Sequence, residues 1–301
     1  MNDRDSQDRT EQAGRAESCR LTKHHGLGND FLIAVDPARQ LTAEDAVAWC
    51  DRRTGIGADG LIVAVPAGAA DQEDGKAVAD GPIRRWRMVL WNADGSRAEL
   101  SGNGIRCLGQ AIAEHQGLER SQDQEITVDT DAGARPVRIL GAGPAGSADG
   151  TAMVRVGMGK AVDGPVPSDR WAEVSVPITD QRGVDVGNPH LVGFVDELGD
   201  ADMALIGPVI EADYPAGINV HVVAPIDRGR LRLRVWERGA GVTQACGSGA
   251  VAAAWAANAA GLADDHIVVE MPGGSAEVTI GADEIHLTGP AVRVAEVIID
   301  G

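Results

Sequence analysis

The chain has 301 residues, 44% of them hydrophobic, with a formal net charge of −18 at pH 7, one Tyr and two Phe. That length and apolar content can bury a sizeable core, expected as two domains. The excess of carboxylates disfavours nucleic acid and anionic membrane as partners, and the scarcity of aromatic rings removes base-stacking platforms.

The first 18 residues are polar and charge-mixed and read as a disordered tail without a signal peptide. Structure is expected from about Cys19, with a turn over 24–30 and a strand over 31–35. Thr42 and Asp45 form a capping pattern for a helix ending at Cys50. A glycine turn over 55–60 leads to a strand over 61–65. The Ala-, Asp- and Gly-rich stretch 66–82 reads as an exposed hairpin loop, followed by a strand over 83–90. A helix is expected over 105–114, then short strands over 126–128 and 136–140. The stretch 141–150 reads as a mobile connection, and the boundary between the halves is placed there, giving 19–150 and 151–301. The second half is read as strands over 152–156 and 191–195, a helix over 202–212, strands opening at 217 and over 231–236, and a long helix. Strands over 267–270, 276–280, 285–287 and 292–299 complete it. Whether the last one returns to the first half is not visible in the sequence. No apolar run reaches the length of a membrane span. The four cysteines (Cys19, Cys50, Cys107, Cys246) include no CxxC pair, so neither a zinc site nor a disulfide framework is indicated. The expected setting is the cytoplasm.

Residues 234–253, RVWERGAGVTQACGSGAVAA, stand out: strand, glycine turn, Cys246, Gly247-Ser248-Gly249, then an alanine-rich helix. Cys246 falls at a helix N-terminus, where unpaired N–H groups and the helix dipole are expected to favour its thiolate. The same N–H groups can hold a carboxylate. Residues 90–113 repeat the pattern: Trp91 precedes Ser101 by ten residues, as Trp236 precedes Cys246, and Gly102-Asn103-Gly104 matches Gly247-Ser248-Gly249 at an offset of 145. Gly28-Asn29-Asp30 before 31–35 is likewise echoed by Gly187-Asn188-Pro189-His190 before 191–195. The pattern indicates an α+β fold of two pseudo-symmetric domains, each a curved, mostly antiparallel sheet around a central helix. A site between the two helix N-termini would carry one acid/base group on each side, for chemistry at a carbon next to a carboxylate. Neither a dinucleotide fingerprint nor a P-loop is present, and Lys23, Lys76 and Lys160 have no motif company that would mark a pyridoxal-phosphate site.

Taken together, GLGNDF (26–31), GIGADGL (55–61), NADGS (92–96), SGNGIRC (101–107), GNPH (187–190), INV (218–220), ERGAG (237–241), ACGSGA (245–250), PGG (272–274) and LTGPAV (287–292) resemble the diaminopimelate epimerase family, cofactor-independent relatives of the amino-acid racemases. The resemblance spans roughly 21–299. It implies interconversion of LL- and meso-diaminopimelate for lysine and peptidoglycan precursors, a small-molecule amino-acid substrate, a homodimer, and no metal or organic cofactor. It also implies a site in the cleft between the domains, with two cysteines flanking the substrate α-carbon, one taking the proton as thiolate and the other returning one as thiol. Carried over by motif, Gly102, Asn103, Gly247 and Ser248 would hold the α-carboxylate. Asn29, Asn92, Asn188, Asn219, Glu237 and Arg238 would contact the substrate, and His190 and Glu237 would tune the acid/base groups. Cys246 occupies one catalytic position, but the other is Ser101. Its hydroxyl is a much weaker acid than a thiol, able to donate a proton or to relay one through His190 if that ring is within reach. Cys107, inside the helix, is expected to pack in the core. The alternatives are a relative acting on another amino acid, such as a hydroxyproline epimerase or a dehydratase, and a weakly active amino-acid-binding homologue.

Overall fold

In the computed structural model, residues 18–68, 84–118, 124–144, 146–199 and 201–300 are described. The expected tail, Ser18 apart, and most of the expected hairpin loop lie outside the described residues. The first half runs β1 (Cys19–Gly26), β2 (Asn29–Val35), α1 (Ala43–Cys50), β3 (Gly60–Pro66), β4 (Arg85–Asn92), α2 (Gly102–His115), β5 (Gln124–Thr130), β6 (Gly133–Ala142) and β7 (Thr151–Gly157). A short β8 (Val162–Asp163) follows, and the second half repeats the order: β9 (Asp180–Asp185), β10 (Pro189–Phe194), α3 (Met203–Glu211), β11 (Asn219–Asp227), β12 (Arg230–Glu237), β13 (Gly241–Val242), α4 (Gly247–Ala259), β14 (His266–Met271), β15 (Gly274–Ile280) and β16 (Ile285–Ile299).

The repeat is visible in the pairing. β2/β3 and β10/β11 are parallel pairs bridged by α1 and α3, and β4/β5 and β12/β14 are parallel pairs bridged by α2 and α4. The remaining ladders are antiparallel. The strands form one continuous sheet, each half of which curls around its long helix. Every residue of α2 from Gly102 to Ala113 is buried, and so is α4 from Gly247 to Ala254. A helix wrapped on all sides needs apolar or small side chains all round. Alanine supplies this in α4 at the lowest conformational cost, letting the strands approach closely. In α2 the fully buried Ile105, Leu108 and Ile112 contribute about 1.5–3 kcal/mol each.

β16 is read from sequence as two strands but is continuous. Its first residues pair with β15, its middle with β7, and residues 292–299 with β1, so it joins the halves and closes β1–β7 into a ring. Pro290 stands where one edge passes from β15 to β1, a place that tolerates a missing N–H. The turn expected over 24–30 is shorter than expected: residues 24–26 are strand, and only Leu27 and Gly28 turn, with φ of 57° and 87°. Both φ values are positive, the geometry of a two-residue hairpin whose twist suits its strands. The sequence reading missed β8, β9, β13 and a 3-10 turn over Asp169–Glu173. Among the described residues no helix is long and apolar enough to cross a membrane.

Candidate active site

The long helices begin against each other. A β-carbon added to Gly102 would stand 2.9 Å from Gly247 Cα, and one added to Gly247 would stand 2.8 Å from Gly102 Cα. Only glycine permits that approach. The residues just before them are the N-caps, and their backbones nearly coincide: Ser101 has φ −127° and ψ 118°, Cys246 φ −124° and ψ 116°. Ser101 Oγ accepts from the Gly104 N–H at 3.0 Å, and Cys246 Sγ accepts from the Gly249 N–H at 3.3 Å. Each cap satisfies one orphan donor of its helix, leaving others of both first turns to face an anion.

A cleft of about 970 Å³ opens over this junction, and it is lined from both halves. Asn29, Asn92, Ser101, Gly102, Asn103, Asn188, Asn219, Glu237, Arg238, Cys246, Gly247 and Ser248 all line it. His190 does not; it is buried behind the wall. Several asparagines are already committed within the protein. Asn29 donates to Asp59 and accepts from Asn103, which also donates to the Ala245 carbonyl and so ties α2 to the residue before Cys246. Asn219 donates to the Pro189 carbonyl and accepts from the Arg238 N–H. Asn92 donates to Ser96 Oγ. Arg238 reaches across the cleft to Glu99 at 3.2 Å.

The two caps differ in chemistry. Beside Cys246 stand Ser248, with Oγ 3.5 Å from the sulfur, and Glu237, whose carboxylate is near enough to perturb the thiol and accepts from Thr243 at 2.5 Å. Burial, then the neighbouring Glu237 charge, pushes the Cys246 thiol well above its ordinary value. The expectation of a resting thiolate is therefore corrected: desolvation outweighs the helix terminus, and the thiol is protonated until a base takes its proton. Burial also raises Glu237, bringing it closer to the range of an effective base. Ser101 has no such neighbour. Among the described residues its side chain makes no hydrogen bond besides the cap, and His190 pairs instead with Asn188 and His221. Cys107 is fully buried and its thiol is pushed up to about 12 by burial, as expected of a core residue.

Sequence reasoning missed Arg106. It lies one turn into α2, is fully buried, and reaches back to the Gly102 carbonyl at 3.0 Å and to Asn103 Oδ1 at 2.8 Å. Burial pulls it down to about 10, so it is cationic at neutral pH, yet no carboxylate pairs with it among the described residues. A positive charge buried at the positive end of a helix makes the junction an anion site. Its sequence signal is a charge in an otherwise apolar helix.

The model of the family described as diaminopimelate epimerase matches residues 21–163 and 183–294. Diaminopimelate epimerase 1 of Nostoc sp. is 37% identical over 291 residues, covering 91% of this chain and 97% of its own. The chain belongs to the diaminopimelate epimerase family. The diaminopimelate epimerase of Pseudomonas syringae is 36% identical over 290 residues, covering 92% of this chain and 97% of its own. Among solved structures, a hydroxyproline epimerase from Agrobacterium vitis matches 95% of this chain and 94% of its own, with TM-score 0.63 and 15% identity. A PhzF-family phenazine biosynthesis protein from Bacillus anthracis matches 94% and 99%, with TM-score 0.64 and 19% identity. These distant likenesses show the fold. The family makes the chain an isomerase.

Proposed function

We propose that the chain interconverts LL- and meso-diaminopimelate by moving a proton at the α-carbon between the two helix caps. One observation carries this reading: Ser101 and Cys246 occupy equivalent cap positions across a junction built for an anion. The α-carboxylate sits on the N–H groups of the Gly102-Asn103 and Gly247-Ser248 turns, with Arg106 behind. Glu237 takes the Cys246 thiol proton, the thiolate removes the α-proton, and the charge that develops on the carboxylate is held by preorganised donors. Ser101 gives its hydroxyl proton to the opposite face and recovers one from solvent as Glu237 releases the proton it took. The distal amino acid is held by Arg238 against its carboxylate, with Asn188 and Asn92 beside it. His190 acts through Asn188 rather than on Ser101. No cofactor is used, and the enzyme works as a cytoplasmic homodimer.

The bare surroundings of Ser101 favour a second reading, in which the Cys246 face exchanges the α-proton without inversion. Chromatographic resolution of diaminopimelate isomers after incubation with the LL form separates the two. Formation of the meso isomer, lost in Cys246→Ala, supports epimerisation; unchanged LL substrate with wild-type protein refutes it.

A further inference from the structure

Behind the start of α4 lies a pair of imidazoles that the other half lacks. His190 on β10 and His221 on β11 are both fully buried, with ring centroids 5.0 Å apart and planes 24° apart. His190 Nδ1 is 2.8 Å from His221 Nε2, and His190 Nε2 is 2.9 Å from Asn188 Oδ1. The internal repeat supplies the comparison. β10 and β11 align His190 with Asn219 as β2 and β3 align Phe31 with Gly60, so His190 and His221 take the places of Phe31 and Ile62. The niche is the same: a β-carbon on Gly104 would meet Ile62 Cδ1 at 2.9 Å and Phe31 Cζ at 3.3 Å, and one on Gly249 would meet His221 Cε1 at 2.5 Å. Hydrocarbon fills it in one half. Packing therefore does not call for imidazole, and burying two such rings is unfavourable unless their polarity is used.

The hydrogen-bond order places the protons. Among the described residues His221 Nδ1 has no hydrogen-bond partner, and burial keeps both rings neutral. A buried N–H without an acceptor is costlier than a lone pair without a donor. The His221 proton is accordingly on Nε2, which donates to His190 Nδ1. The His190 proton is then on Nε2, which donates to Asn188 Oδ1. This turns the Asn188 amide oxygen inward. Its NH2 group has no partner among the described residues, and Asn188 lines the cleft.

We propose that His221 is a positioning residue: through His190 it holds the Asn188 amide as a hydrogen-bond donor, so that this part of the cleft takes a carboxylate oxygen rather than an ammonium group. The proposal rests on the diaminopimelate reading for the identity of that carboxylate.

The test uses full-length protein labelled with ¹⁵N-histidine, with His221→Ile (the side chain of the other half) and His221→Gln (which restores a donor). Expected are a His190 Nε2–H tautomer in wild type and His221→Gln, and its loss in His221→Ile. The KM for diaminopimelate should rise about tenfold in His221→Ile, the value of one hydrogen bond, with kcat within about threefold, undiminished melting temperature, and recovery in His221→Gln. A wild-type Nδ1–H tautomer, or an unchanged KM in folded His221→Ile, would overturn the proposal. The NMR result needs no turnover and decides the matter if His221→Ile does not fold. Absent turnover by wild type would count against the diaminopimelate reading instead, so the two failures remain distinct.

Discussion

Replacing Arg106 by Met tests the electrostatics of the junction. The guanidinium lies 3.0 Å from the Gly102 carbonyl, and an anion one hydrogen bond beyond that turn stands roughly 6 Å from it. At an effective dielectric of about 20 the attraction is about 3 kcal/mol. Because the site is buried, salt screens it little. Removing the charge should weaken binding of a diaminopimelate carboxylate about 100-fold. Stability should move much less. Apolar replacement of a buried ion relieves its desolvation, which offsets the acceptors left on Gly102 and Asn103, each costing about 1–3 kcal/mol. Calorimetric titration with a non-reacting diaminopimelate analogue, beside thermal melts, gives both quantities, and Arg106→Lys, which retains the charge, should bind more tightly than Arg106→Met. If Arg106→Met binds within about threefold of wild type while melting far lower, Arg106 is a structural prop and the argument fails.

Gly102→Ala places a methyl 2.9 Å from Gly247 Cα, forcing the helix starts apart; misplacement of reacting groups costs about 100-fold, so kcat should fall by that order with little change in secondary structure by circular dichroism. Glu99→Gln releases Arg238 from its cross-cleft ion pair; such partly exposed pairs are worth up to about 1 kcal/mol, so KM should fall, by at most about fivefold. Glu237→Gln should raise the melting temperature at neutral pH but not at acid pH. Burial raises the folded-state value of Glu237, so the penalty is absent below the unfolded value of about 4.3, grows as pH rises through the raised value, and is constant above it. Melts from pH 3.5 to 8 check that sign.

Much of this site was legible because its parts are local. Ser101 and Cys246, each followed by Gly-x-Gly and an apolar run, show where two buried helices start, and both start at the first glycine of the triplet. What was hidden depends on distant partners. The single strand through Thr288-Gly289-Pro290 exists because β7 supports it while its other edge changes from β15 to β1. Arg106 and His221 sit in apolar runs, and only packing reveals that, among the described residues, one has no counter-charge and the other no partner for Nδ1. The thiol of Cys246 was misread because helix position is local while burial and the Glu237 charge are tertiary.

The most direct test of the two-cap account is proton NMR of the protein with LL-diaminopimelate in D₂O under reductant, beside Cys246→Ala and Ser101→Cys. The account predicts α-deuterium incorporation with formation of the meso isomer, abolished in Cys246→Ala and faster in Ser101→Cys. Inversion that persists in Cys246→Ala, or no exchange even in Ser101→Cys, would contradict it.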